Sequence, residues 1–155
     1  KQNLTLSTAE SCTGGHIAHR ITTVPGASDY FEGSIVSYDN RIKEKLLDVD
    51  KNSIEKFGAV SREVVEQMAI NVARKLKTRC SIAVSGIMGP DGGTKEKPVG
   101  TVWICTLHEN ELLSREYQVG SSREENIERT ASLAILQLLK MLVHKEAGQI
   151  DVKPQ

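Results

Sequence analysis

The run Cys80-Ser81-Ile82-Ala83-Val84-Ser85 is apolar almost from end to end, and such a run reads as a strand covered on both faces. Covering both faces takes helices on each side of a sheet. Two long amphipathic patterns supply them. The first starts at Ser61 and places Val64, Val65, Met68, Ala69, Val72, Ala73 and Leu76 on one helical face. The second follows Ser121 and Ser122, each with a glutamate three residues on (Glu124, Glu125) in capping-box spacing, and carries Ile127, Ala131, Ala134, Ile135, Leu138, Leu139 and Leu142 to about Val143. The expected fold class is α/β, a three-layer α/β/α domain with a mixed β-sheet.

The remaining elements fit between these. Leu4 and Leu6 mark a short opening strand, followed by a turn and a helix over about Gly14 to Thr22. Val24 to Ser28 reads as a loop and Gly33 to Tyr38 as a strand. Asp39 or Asn40 caps a short helix over Ile42 to Leu47, and Asp50 caps another over Lys51 to Phe57 that Gly58 stops. Thr101 to Leu107 and Leu112 to Tyr117 form an antiparallel pair around the polar connection His108 to Glu111. No repeat or linker divides the chain. One domain is expected over residues 1–145, with a disordered tail over 146–155.

At 155 residues a chain buries roughly 70% of its unfolded surface and needs neither a disulfide nor a metal to hold its core. Lysine and arginine total 20, aspartate and glutamate also total 20, so no basic field gathers nucleic acid. At 4% aromatic residues, platforms for stacking bases are few. Cys12, Cys80 and Cys105 are odd in number and lack CxxC spacing, which points to a reducing compartment. There is no apolar run near the ~20 residues of a membrane span and no signal-peptide pattern. A cytoplasmic protein with a small ligand is expected, with neither membrane nor nucleic acid as partner.

Three segments carry candidate chemistry. Glu10-Ser11-Cys12-Thr13-Gly14-Gly15 joins strand to helix, where a nucleophile and an anion site can share one turn. The plainer alternative is that Ser11 or Thr13 only caps the helix. In Tyr38-Asp39-Asn40-Arg41-Ile42-Lys43, the lysine stands in a first helical turn, against the dipole. A depressed amine there suits a general base for a serine, with Tyr38 positioning the proton; the alternative is a surface lysine. The third segment runs from Ser85 and Gly86 through Gly89, Pro90, Gly92 and Gly93 to Pro98, Gly100 and Thr101. Its amides can form an anion nest, or it is a flexible loop. It matches neither GxxxxGK[ST] nor GxGxxG, so neither ATP nor a dinucleotide is read from it. His16 and His19 lack an HExxH or cysteine cluster, and no metal is expected.

Taken together, Ala9-Glu10-Ser11-Cys12-Thr13-Gly14-Gly15, Tyr38-Asp39-Asn40 with Lys43, Gly58-Ala59-Val60-Ser61, Ser85 to Gly93 and Lys97 to Trp103 resemble the CinA C-terminal domain family over nearly the whole chain. The resemblance implies a nicotinamide-nucleotide amidohydrolase: nicotinamide mononucleotide plus water gives nicotinic acid mononucleotide plus ammonia, a pyridine-nucleotide salvage step without a cofactor. It implies Ser11 as nucleophile, Lys43 as base and Tyr38 as the associated tyrosine. Thr13, Gly14, Gly15, Ser85, Gly86, Gly89, Gly92, Gly93, Gly100 and Thr101 are the expected substrate-binding positions, divided between oxyanion and 5′-phosphate. Lys43 suits a hydroxyl nucleophile, so Ser11 is preferred over Cys12. The alternative function is a non-catalytic nucleotide-binding or competence-associated interaction module. A homo-oligomer, namely a dimer, and a covalent N-terminal partner domain in a longer protein are the further expectations.

Overall fold

The structure is a computed structural model that describes residues 3–150, with side chains through 144. In chain order its elements are β1 (Leu6–Glu10), α1 (His16–Thr22), a 3-10 turn (Ala27–Asp29), β2 (Phe31–Val36), α2 (Asn40–Leu47), α3 (Lys51–Phe57), α4 (Arg62–Leu76), β3 (Cys80–Gly86), β4 (Thr101–His108), β5 (Glu111–Gln118) and α5 (Arg123–Ile150).

One five-stranded sheet has the order β2-β1-β3-β4-β5. β1 runs parallel to both β2 and β3, whereas β4 is antiparallel to β3 and to β5. The sheet is mixed, and two hydrophobic cores lie on its faces. On one face Ile82, Val84, Val102 and Ile104 pack with Ile17 and Ile21 of α1 and Ala131, Ala134 and Leu138 of α5. On the other, Ala83 and Cys105 pack with Leu47, Ile54, Val64, Val65, Met68 and Val72 of α2, α3 and α4. Successive residues of β3 thus enter opposite cores, which is why its sequence shows no polar alternation. The three layers are those expected.

Several boundaries differ from the sequence reading. α1 starts at His16, because Gly14 and Gly15 both take positive φ (59° and 100°) and Gly15 stands outside the helix as its N-cap. β2 ends at Val36, so Tyr38 lies beyond the strand. Asp39 is the true cap of α2, accepting from the Arg41 amide, which starts that helix at Asn40. The β4–β5 connection is only Glu109-Asn110, made possible by Glu109 at φ 56°. Helix α5 continues through Ile150, past the expected tail boundary at 146; the rest of that tail, 151–155, lies outside the described residues.

The connection from β1 to β2 carries α1 on one face, and that from β2 to β3 carries α2 to α4 on the other. The chain therefore diverges at the carboxyl ends of β1, β2 and β3. In open α/β sheets such a divergence leaves a crevice outside the strand ends, the usual place for a ligand.

Candidate functional site

Ser11 follows directly on β1. Its amide donates to the Val84 carbonyl of β3 (3.1 Å), and the Ser37 amide, just past β2, donates to the Glu10 carbonyl (2.8 Å). The serine is thereby gripped from both neighbouring strands. Below it, the Glu10 carboxylate is wholly buried and does what no side chain at Gly15 can do. It accepts from the Ile17 and Ala18 amides (2.8 and 2.9 Å) and from Thr13 Oγ1 (2.6 Å). A carboxylate on the open amides of a first helical turn is favourable. Here it also ties the end of β1 to the start of α1 and fixes the turn that carries Ser11.

Lys43 is 1% exposed. Helical side chains lean toward their own N-terminus, and this one leads its ammonium back past the start of α2. Nζ donates to Ser11 Oγ (3.0 Å), to the Ser37 carbonyl (2.9 Å) and to the Tyr38 carbonyl (3.1 Å). Burial lowers its pKa below the free value of 10.5, opposed by the negative charges that Cys12 and Asp39 can carry. The arrangement satisfies both protonation states. The ammonium has three donors for three acceptors; the neutral amine keeps two for the carbonyls and turns its lone pair to Ser11. Cys12 is different. Burial, with the Glu10 charge adding to it, pushes its thiol up to about 12 despite Lys43 and Arg123, so it is protonated at neutral pH and a poor nucleophile.

Ser11, Cys12, Tyr38, Asn40, Lys43, Ala59, Val60, Ser85, Gly86, Met88 and Arg123 enclose a cavity of about 180 Å³. A larger groove of about 280 Å³, between the start of β1 and α5, is lined mainly by side chains such as Leu4, Ile21, Ile135 and Leu142. It has no comparable convergence of polar groups. The smaller cavity is therefore the candidate site.

Among the residues expected from sequence, Ser11, Lys43, Tyr38, Ser85 and Gly86 meet at this cavity. Tyr38 meets Lys43 through its main-chain carbonyl, while its hydroxyl accepts from Arg123 Nη2 (3.1 Å). The others lie elsewhere. Thr13 is turned inward to Glu10. The Gly14 amide donates to the Ser11 carbonyl and the Gly15 carbonyl accepts from the His19 amide, so both close the turn from behind. Gly89 gives its carbonyl to Arg123 Nη1 (2.8 Å). Gly92 lies in the exposed part of the loop, and a side chain on Gly93 would strike the Val99 amide. Gly100 (φ 91°) packs on the Gly120 main chain, and Thr101 Oγ1 donates to the Pro98 carbonyl (2.7 Å). These positions shape the loop rather than line the cavity.

Glu10, Asn40, Ala59, Val60 and Met88 fall inside the motifs quoted from the sequence, with no role of their own read there, and Arg123 falls outside them. Arg123 carries the signal that marked Lys43, a cation in the first turn of a helix. The small and apolar liners carry no local signal. Among the described residues no group of three or more His, Cys, Asp or Glu side chains is placed to hold a metal. No helix among them is long and apolar enough to cross a membrane.

A family model described as the CinA C-terminal domain matches residues 1–142. The CinA-like protein of Cytophaga hutchinsonii is 51% identical over 140 residues, which is 90% of this chain and 33% of that protein. The CinA-like protein of Prochlorococcus marinus subsp. pastoris is 52% identical over 128 residues, 83% of this chain and 30% of that protein. Among solved structures, the competence/damage inducible protein CihA from Agrobacterium tumefaciens superposes with a TM-score of 0.87 at 38% identity, covering 89% of this chain and 85% of its own. The competence damage-inducible protein A (ComA) from Klebsiella pneumoniae gives 0.89 at 26% identity, covering 92% and 89%. The chain spans about a third of the length of the curated relatives it matches. With the family model and the fold in agreement over most of its length, this chain belongs to the CinA C-terminal domain family.

Proposed function

We propose that this domain hydrolyses the carboxamide of nicotinamide mononucleotide to nicotinic acid mononucleotide and ammonia, with Ser11 as nucleophile and Lys43 as general base. The observation that carries the reading is the 3.0 Å contact between a buried Lys43 Nζ and Ser11 Oγ at the mouth of three parallel strands. A serine within hydrogen-bond reach of a lysine whose pKa is lowered is an activated nucleophile.

The neutral amine of Lys43 takes the Ser11 proton as Oγ attacks the carboxamide carbon. The Ser37 and Tyr38 carbonyls hold the resulting ammonium in place. It then returns the proton to the leaving nitrogen, and the C–N bond breaks to release ammonia. Water, deprotonated by the same amine, attacks the acyl-enzyme and the serine leaves with its proton restored. The Arg123 guanidinium, held by Gly89 and Tyr38 at the cavity wall, supplies positive charge for the 5′-phosphate. Ser85 and Gly86, at the end of β3, line the same cavity as Ser11 and Lys43.

The test is ammonia release from nicotinamide mononucleotide by the parent protein, Ser11→Ala, Lys43→Met and Cys12→Ala, each checked for folding by circular dichroism. Activity should be lost in the first two variants, by at least ~10³-fold, and kept in the third. Nucleotide binding without ammonia release by the parent would replace the enzyme with a binding module. Loss confined to Cys12→Ala would name a different nucleophile.

A further inference from the structure

Two walls of the cavity stand above the packing of α4 on β3, one at the start of the helix and one at the end of the strand. Ala59 and Val60 lie in the turn between α3 and α4; Ser85 and Gly86 end β3, and Met88 follows them at the root of the long segment to β4. That segment folds back on itself. At its root the Ile87 amide donates to the Thr101 carbonyl (2.9 Å) and the Gly100 amide to the Ile87 carbonyl (2.7 Å). At its far end the Thr94 amide donates to the Lys97 carbonyl (2.8 Å), and the Lys97 amide to Thr94 Oγ1 (3.0 Å).

This closed turn aims the Lys97 ammonium away from its own segment. Nζ donates to the Phe57 carbonyl and to the Val60 carbonyl, both at 2.8 Å. The first acceptor is the last residue of α3, where the dipole favours a cation. The second belongs to a residue that lines the cavity. Gly58 between them takes φ 81°, the left-handed conformation that lets the chain turn there. The Gly58 carbonyl in the same turn accepts from the Ser61 hydroxyl (2.8 Å).

We infer that Lys97 is a positioning residue: it clamps the β3–β4 segment to the α3–α4 turn and sets the spacing of the two cavity walls between which the substrate sits. It touches neither Ser11 nor Lys43, so its influence falls on substrate binding more than on the chemical step. Small displacements of binding groups are costly to affinity and rate. Methionine at 97 keeps most of the apolar stem and removes the donors; arginine keeps charge and donors.

The substrate arm of the test rests on the amidase reading, and the structural arm does not. In Lys97→Met the Gly58 and Thr94 amides should exchange with deuterium faster, while amides of β1 and β3 keep their protection. KM for nicotinamide mononucleotide should rise about tenfold with kcat within about twofold, and Lys97→Arg should restore most of both changes. Unchanged exchange at Gly58 and Thr94 overturns the inference, as does an unchanged KM in an active enzyme. If the parent releases no ammonia, the amidase reading falls separately, and exchange alone decides whether Lys97 joins the two segments.

Discussion

At the scale of single residues, Lys43 and Glu10 are opposite uses of a buried charge. Burial holds the Lys43 pKa below its free value of 10.5, so between the folded value and 10.5 the unfolded chain binds more protons than the folded one. Stability therefore rises with pH through that window, and the penalty of the buried ammonium is fully present below it. Urea titrations of the parent and Lys43→Met should show the parent gaining on the variant across that window, by at most about 1.4 kcal/mol per pH unit, and running parallel below it. The amidase activity, if carried by the neutral amine, should climb as pH approaches the folded pKa from below and level off above it, while stability is still rising. Amides and hydroxyls converge on both oxygens of the buried Glu10 carboxylate. In Glu10→Gln an NH₂ must face one of those donor sets. We expect a loss of about 2–4 kcal/mol, measured by chemical denaturation, together with loss of activity as the Ser11 turn loosens.

Among the elements, α4 and the β3–β4 segment hold the cavity walls by different means. Ser61 caps α4, accepting from the Val64 amide at 3.4 Å while donating to Gly58. Ser61→Ala should therefore cost about 1 kcal/mol in thermal or urea unfolding. The β3–β4 segment closes at its base through Gly100, whose φ of 91° and contact with the Gly120 main chain leave no place for a side chain. Gly100→Ala should destabilise by at least ~2 kcal/mol, with the damage concentrated at the start of β4. Glycine-rich composition alone suggested a ligand nest along this segment. What the glycines mostly do is let the chain turn back on itself, and the Arg123 contact with Gly89 is how the segment serves the site.

In the molecule as a whole, a sheet separates two cores that do not share buried side chains. Met68→Ala in α4 and Leu138→Ala in α5 should each cost about 2–5 kcal/mol, and the double variant should lie within ~0.5 kcal/mol of their sum. A larger departure in urea titrations would mean that the sheet transmits strain between its faces. The local sequence was enough for the layers and most elements, because helical and strand periodicities are written in neighbouring residues, as in Val64 to Leu76 and Cys80 to Ser85. It was also enough to single out Ser11 and Lys43 as candidates, which the fold brings to 3.0 Å of each other. The inward turn of Thr13 toward Glu10, the withdrawal of Gly14 and Gly15 behind the turn, and the arrival of Arg123 beside Tyr38 were decided by tertiary structure. Which side chains face a cavity depends on how strands β1, β2 and β3 align at their ends and on where α5 begins above them. Those are relations between residues far apart in the chain, and no local pattern encodes them.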